Sequence, residues 1–216
     1  MDWLNSSLIE FTEGLASPAP VPGGGSASAL AGAVGAALAD MVGELTVGKP
    51  AFAEAEEELR GLMDRAQALR LELLRCVEKD MEAFEPLSRA YRLPKDDPTR
   101  IEVMERCLKD AAAAPLEVFD LCCEAIELQQ AFAEKGSPLV VSDAATGAAL
   151  CAGALYGAAI NVKVNTKLMK DRPYAEAVKD YDPHTLTDGW HTAPDGEPFF
   201  YISNPALGLW ADKARF

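Results

Sequence analysis

Pro20-Val21-Pro22-Gly23-Gly24-Gly25-Ser26 runs directly into Ala27-Ser28-Ala29-Leu30-Ala31-Gly32-Ala33, and the reading of this junction decides the fold. Prolines at 18, 20 and 22 each fix their own φ and push the preceding residue toward extended geometry, so the chain reaches the corner stiffly. Three glycines then remove every Cβ, which lets the backbone turn sharply or approach another group closely. Ser26 is a natural N-cap for the Ala-rich helix expected over 26–46. Exposed N–H groups and the positive end of the helix dipole meet there, which suits an anionic or carbonyl group. A loop that merely redirects the chain would have the same composition.

The helix behind the corner carries Gly32, Gly35, Ala36, Ala39 and Gly43 at three- and four-residue spacing. Such a seam admits another helix backbone at close range. It buries little by itself, so it is expected to be central or at a subunit interface, with a two-fold dimer as the expected seam. Working outward, Leu4, Leu8, Phe11 and Leu15 predict a helix over 2–15. Phe52, Leu59, Leu62, Leu69, Leu73, Val77 and Phe84 form the apolar stripe of a helix over 51–92, with Pro86 expected to kink or break it. Two more are expected over 99–134, bent at Pro115, and over 143–170, capped by Ser142 or Asp143. No period-two alternation occurs in the first 170 residues. The expected fold is all-α: a bundle of about five main helices with small-residue seams over 1–170. The tail, 171–216, holds five prolines, scattered aromatics and both histidines. It is expected to be ordered but largely irregular, packed on the body or on a partner subunit.

The bulk composition narrows the function. The chain has 216 residues, 49% hydrophobic and 25% charged, as expected for one globular domain. Twenty Lys and Arg against 34 Asp and Glu give a net charge of −14, a surface that repels nucleic acid and anionic membranes. The uncharged run 27–39 is read as too short and too weakly apolar to span a bilayer. Met1-Asp2-Trp3 has neither the basic start nor the apolar core of a signal peptide. Five cysteines form no C-x-x-C pair and are read as reduced and structural, which places the protein in the cytoplasm. With only His184 and His191 available, a His-based metal site or a Ser/His triad is poorly supplied.

Four further features carry chemistry. Lys49 follows a flexible glycine in Thr46-Val47-Gly48-Lys49-Pro50. Asp80 falls beside Val77 and Phe84 on the apolar side of its helix, where a carboxylate is either paired or perturbed; a structural ion pair would account for it. Asp143 follows the apolar Leu139-Val140-Val141, and a capping role alone would explain it. Asn161 and Asn165 sit one turn apart, amid a row of Lys163, Lys167 and Lys170 with Arg172 after it. That row is either an anion site or a solvated face. Asp143 and Asn161 are 18 residues apart. On a straight helix that spacing gives the same azimuth and a separation of roughly 27 Å. One compact centre within one subunit cannot touch both. Either one of them serves a second role, or two subunits share the site.

Phe11, the Pro20–Ser26 block, the Ala/Gly helix ending Leu45-Thr46-Val47-Gly48-Lys49, Asp80 with Ala83-Phe84, Ala114-Pro115-Leu116, Ser142-Asp143 and Asn161-Val162-Lys163-Val164-Asn165 occur in a recognisable order. Over about residues 4–170 the chain resembles the cyclodeaminase/cyclohydrolase family. That family comprises the C-terminal half of formiminotransferase-cyclodeaminase and the free-standing bacterial methenyltetrahydrofolate cyclohydrolases. Two departures stand out: Pro50-Ala51-Phe52 replaces the further basic residues and tyrosine that usually follow Gly-Lys, and the tail lies outside the shared pattern. The resemblance implies an all-α homodimer acting on the one-carbon bridge of tetrahydrofolate, with no metal or redox cofactor. The implied reaction is hydrolysis of 5,10-methenyltetrahydrofolate to the 10-formyl form. Deamination of formiminotetrahydrofolate and a non-catalytic folate-binding dimer are the alternatives. Lys49, Asp143 and Asp80 are the implied catalytic residues. Gly23, Gly24, Gly25 and Ser26 would hold the pterin or a carboxylate, with Asn161, Lys163, Asn165 and Lys167 as further substrate-binding residues and the lysines drawing the glutamate tail.

Overall fold

A computed structural model describes residues 2–179, 190–192 and 198–200. It contains α1 (Leu8–Leu15), α2 (Gly24–Glu44), α3 (Glu56–Ala90), α4 (Arg100–Lys135), α5 (Val141–Leu168) and α6 (Arg172–Lys179). Short 3₁₀ turns at Pro50–Ala55 and Pro138–Val140 lead into α3 and α5. Beyond α6, β1 (Trp190–Thr192) pairs antiparallel with β2 (Pro198–Phe200). The expected all-α body is present, and its main helices fall within a few residues of the expected bounds.

The helix starts differ for identifiable reasons. α1 begins only at Leu8 because Ser7 and Glu10 close a capping box: Glu10 N–H donates to Ser7 Oγ and Ser7 N–H donates to Glu10 Oε2. α2 begins at Gly24 with Gly23 as its cap, so Ser26 lies inside the first turn rather than capping it. α5 likewise begins ahead of both expected caps. Val140 is its N-cap, and Ser142 and Asp143 are first-turn residues. α6 falls within the segment expected to be irregular.

The seam of small residues on α2 closes inside one chain, which corrects the expectation of a dimer seam there. A Cβ on Gly32 would come 2.8 Å from Cys122 Sγ of α4 and 3.2 Å from Leu73 of α3. One on Gly35 would come 2.5 Å from Cys151 Sγ and 2.8 Å from the Gly147 carbonyl of α5. α2 is thus the central helix, antiparallel to both α3 and α5. Leu59, Leu69, Leu73 and Val77 of α3, with Phe119 and Phe132 of α4, are fully buried in the core beside it. A second core cluster, including Leu87, Leu108, Met169 and Ala175, seats α6 against α3 and α4.

By length and composition alone, Gly24–Glu44 and Pro138–Leu168 are each long and apolar enough to cross a membrane, since α2 continues well past the run 27–39. α2 is the core helix. α5 is different: only 33% of its apolar window is buried, and Ile160 and Val164 are 62% and 56% exposed.

Neither internal proline ends its helix. Pro115 sits within α4, where it has no N–H for the carbonyl of Ala111. Asn165 of α5 fills that vacancy: its Nδ2 donates to Ala111 O at 2.9 Å, at a position 7% exposed. Asn165→Ala is therefore expected to cost about 1–3 kcal/mol, the penalty for a buried unpaired carbonyl. Denaturant unfolding checks this, and the cost should shrink when Pro115→Ala restores the missing N–H.

Candidate active site

The N-terminus of α2 meets the C-terminal halves of α3 and α5. Gly25 and Ser26 are buried, Gly23 is half-buried and Gly24 is exposed. The absence of a side chain at Gly25 is what admits Asp80: a Cβ there would collide with the Asp80 carboxylate. Ser26 donates its hydroxyl proton to Asp80 Oδ2 at 2.7 Å, and its backbone N–H also bonds the carboxylate. No side chain caps α2 locally, so Asp80 does that work from another helix. The ion pair expected for Asp80 is replaced by a hydroxyl and an amide. Burial pushes the Asp80 carboxyl above the ordinary aspartate range, and the two bonds from Ser26 pull it partly back.

Asn161 completes the corner. Its Nδ2 donates to Gly157 O at 2.8 Å, and a Cβ on Gly24 would stand 3.3 Å from that nitrogen. Ser28, which local reading missed, donates to Gly24 O at 2.8 Å. Gly157 makes room for it, since a Cβ there would strike Ser28 Oγ. Lys163 and Lys167 follow on α5, both exposed. The corner therefore offers a desolvated carboxylate and an amide at a helix start, whereas Lys163 and Lys167, two and six residues past Asn161, point to other sides of α5. A desolvated carboxylate beside an amide suits a cationic reacting centre. Asn165 is committed to Ala111 and belongs to the packing instead.

Lys49 and Asp143 lie at the other end of the bundle. α2 alone separates Gly24 from Glu44 by roughly 30 Å. Lys49 is exposed and follows Gly48, whose φ of 79° turns the chain out of α2. Thr46 ties this loop to the start of α5: Ser137 N–H donates to Thr46 Oγ1 at 2.9 Å, and Thr46 donates to Val42 O at 2.7 Å. Asp143, in the first turn of α5, is consequently at the Lys49 end. The structure joins residues 23–26, Asp80 and Asn161, and separates them from Lys49 and Asp143 within one chain.

Among the described residues, no three His, Cys, Asp or Glu side chains gather as a metal would require. All five cysteines are free. Burial pushes the thiols of Cys76 and Cys151 up to about 12 and that of Cys123 to about 11, so they are inert packing groups at neutral pH.

The family model described as formiminotransferase-cyclodeaminase matches residues 7–181. A methenyltetrahydrofolate cyclohydrolase from Methylorubrum extorquens is 40% identical over 176 residues, 80% of this chain and 85% of the relative. The formimidoyltransferase-cyclodeaminase of Rattus norvegicus is 31% identical over 82% of this chain, which spans about a third (33%) of that longer protein. The crystal structure of a formiminotetrahydrofolate cyclodeaminase from Thermotoga maritima superposes with a TM-score of 0.77 at 29% identity, covering 84% of this chain and 88% of that one.

Proposed function

We propose that this chain, which belongs to the formiminotransferase-cyclodeaminase family, hydrolyses 5,10-methenyltetrahydrofolate to 10-formyltetrahydrofolate. The observation that carries the reading is the 40% identity extending over 85% of a free-standing cyclohydrolase. The Asp80 corner supplies chemistry to match. The methenyl bridge is an amidinium-like cation between N5 and N10, so its carbon is already electrophilic and the reaction needs no metal or redox cofactor. Asp80 is the base: it takes a proton from water as the water oxygen bonds to the bridge carbon. The resulting tetrahedral carbon expels N5, which gains a proton as the hydroxyl loses one and becomes the formyl oxygen on N10. One proton is released overall. The carboxylate also offsets the charge of the bridge.

The Thermotoga relative favours a second reading, loss of ammonia from formiminotetrahydrofolate, because that reaction passes through a comparable tetrahedral carbon. Purified protein is to be added to methenyltetrahydrofolate while its absorbance is followed, and then to formiminotetrahydrofolate. Faster decay of the first than in buffer supports the cyclohydrolase. Cyclisation of the second alone would make the protein a cyclodeaminase. Folate binding without either reaction would leave a non-catalytic binding dimer.

The assembly proposed is a homodimer. Val34 and Met41 of α2 are 50% and 44% exposed, and with Ile160 and Val164 of α5 they give an apolar face that one chain leaves open. A two-fold axis crossing these helices, rather than running along them, sets the Lys49 and Asp143 end of one copy over the Asp80 and Asn161 end of the other. Two subunits then share each site. The free cysteines and the acidic surface suit the cytoplasm.

A further inference from the structure

Ser26 is 0% exposed, which is poor placement for a group meant to touch substrate. Its hydroxyl is committed to Asp80 Oδ2 at 2.7 Å, across 54 residues of sequence. The other carboxylate oxygen, Oδ1, lies against the Gly25 backbone, where a Cβ would collide with it. Ser26 therefore holds one side of the carboxylate, and the bare Gly25 backbone, one residue before it, closes off the other. A second bond comes from the Ser26 N–H. Asp80 carries a short side chain with two rotatable bonds, so the Ser26 bonds and the close Gly25 backbone leave its carboxylate few orientations.

We infer that Ser26 is a positioning residue for the hydrolytic step, orienting the Asp80 carboxylate toward the water it activates rather than binding the folate. The inference rests on the reading of Asp80 as the base. Geometry assigns the role, and the electrostatics agree with it. A base that drifts between rotamers spends most of its time out of line with water and bridge carbon, and misplacement of about 1 Å costs about 10²-fold in rate. Among the described residues, burial and the two Ser26 bonds act on the Asp80 carboxyl, and no charged side chain of any helix does so. The bonds from Ser26 favour the ionised form, so losing the hydroxyl moves the Asp80 titration to higher pH.

Ser26→Ala tests this through two readouts. The first is turnover of methenyltetrahydrofolate against pH. The second is the titration of the Asp80 carboxyl itself, followed by carbon NMR in the substrate-free protein. The expected result is a kcat at least about 10-fold lower with KM within about twofold, an acid limb displaced to higher pH, and an Asp80 titration displaced in the same direction. Ser26→Cys, with a weaker donor of similar size, should fall between alanine and wild type, and it serves if the alanine variant does not fold. An unmoved Asp80 titration would overturn the positioning role. A raised KM with unchanged kcat would also overturn it and make Ser26 a substrate contact. A displaced NMR titration with an unmoved acid limb would instead overturn Asp80 as the base, and the inference with it.

Discussion

Asp80→Asn is expected to lower turnover of methenyltetrahydrofolate by about 10²–10⁴-fold while leaving the fold at least as stable as wild type. Asparagine keeps an oxygen that accepts from Ser26, so the α2 start stays capped. It has no basic oxygen to take the proton of water. The stability side has a definite sign. Burial, the largest influence on Asp80, raises its folded-state pKa above the unfolded value, so ionising it works against the fold. Wild type therefore loses stability as pH rises from the ordinary aspartate range through the raised folded-state value. The asparagine variant does not, so its advantage should be greatest at neutral pH and vanish in acid. Thermal unfolding against pH, alongside steady-state rates, checks both halves. Wild-type turnover in the variant would remove Asp80 from the chemistry.

Lys49→Met is expected to lower turnover by about 10²-fold with stability changed by no more than about 0.5 kcal/mol. The side chain is exposed, and although Lys49 is the N-cap of the Pro50–Ala55 turn, it makes no side-chain capping bond. Its loss therefore disturbs little of the monomer. The role proposed here for Lys49, carrying a proton to the departing N5, requires its withdrawal from bulk water, and in a single chain it is exposed. The covering surface has to come from elsewhere, and in the proposed homodimer the open face of α2 and α5 in the second copy would supply it. Steady-state kinetics and denaturant unfolding measure the two effects. An unfolded variant, or one with full activity, would return Lys49 to a surface role.

Much of the fold was legible because its signals are local. Apolar periodicity placed α3, and the glycine corner before the Ala-rich helix placed α2. Ser26 was misread as an N-cap because the group that satisfies the start of α2 is Asp80, which no neighbouring sequence announces. The same limit hid the bond from Asn165 to the carbonyl that Pro115 leaves unpaired. Small residues on α2 signalled close approach, but a glycine seam reads alike whether its partner is the same chain or another; Gly35 against α5 is the former. Of the candidate site, residues 23–26, Asp80 and Asn161 converge. The spacing of Asp143 and Asn161 on one straight helix already required that Asp143 lie apart from that corner.

Whether two chains build each site is decided by mixing the two inactive variants. Asp80→Asn and Lys49→Met chains are to be co-expressed with different tags, purified through both and assayed on methenyltetrahydrofolate. If Lys49 of one copy serves Asp80 of the other, each mixed dimer holds one intact site and one doubly altered site. Random pairing then returns roughly a quarter of wild-type activity to the unfractionated mixture, and about half to the doubly purified dimers. Activity no greater than that of the parent variants, or a wild-type enzyme that is fully active as a monomer, would contradict a shared site.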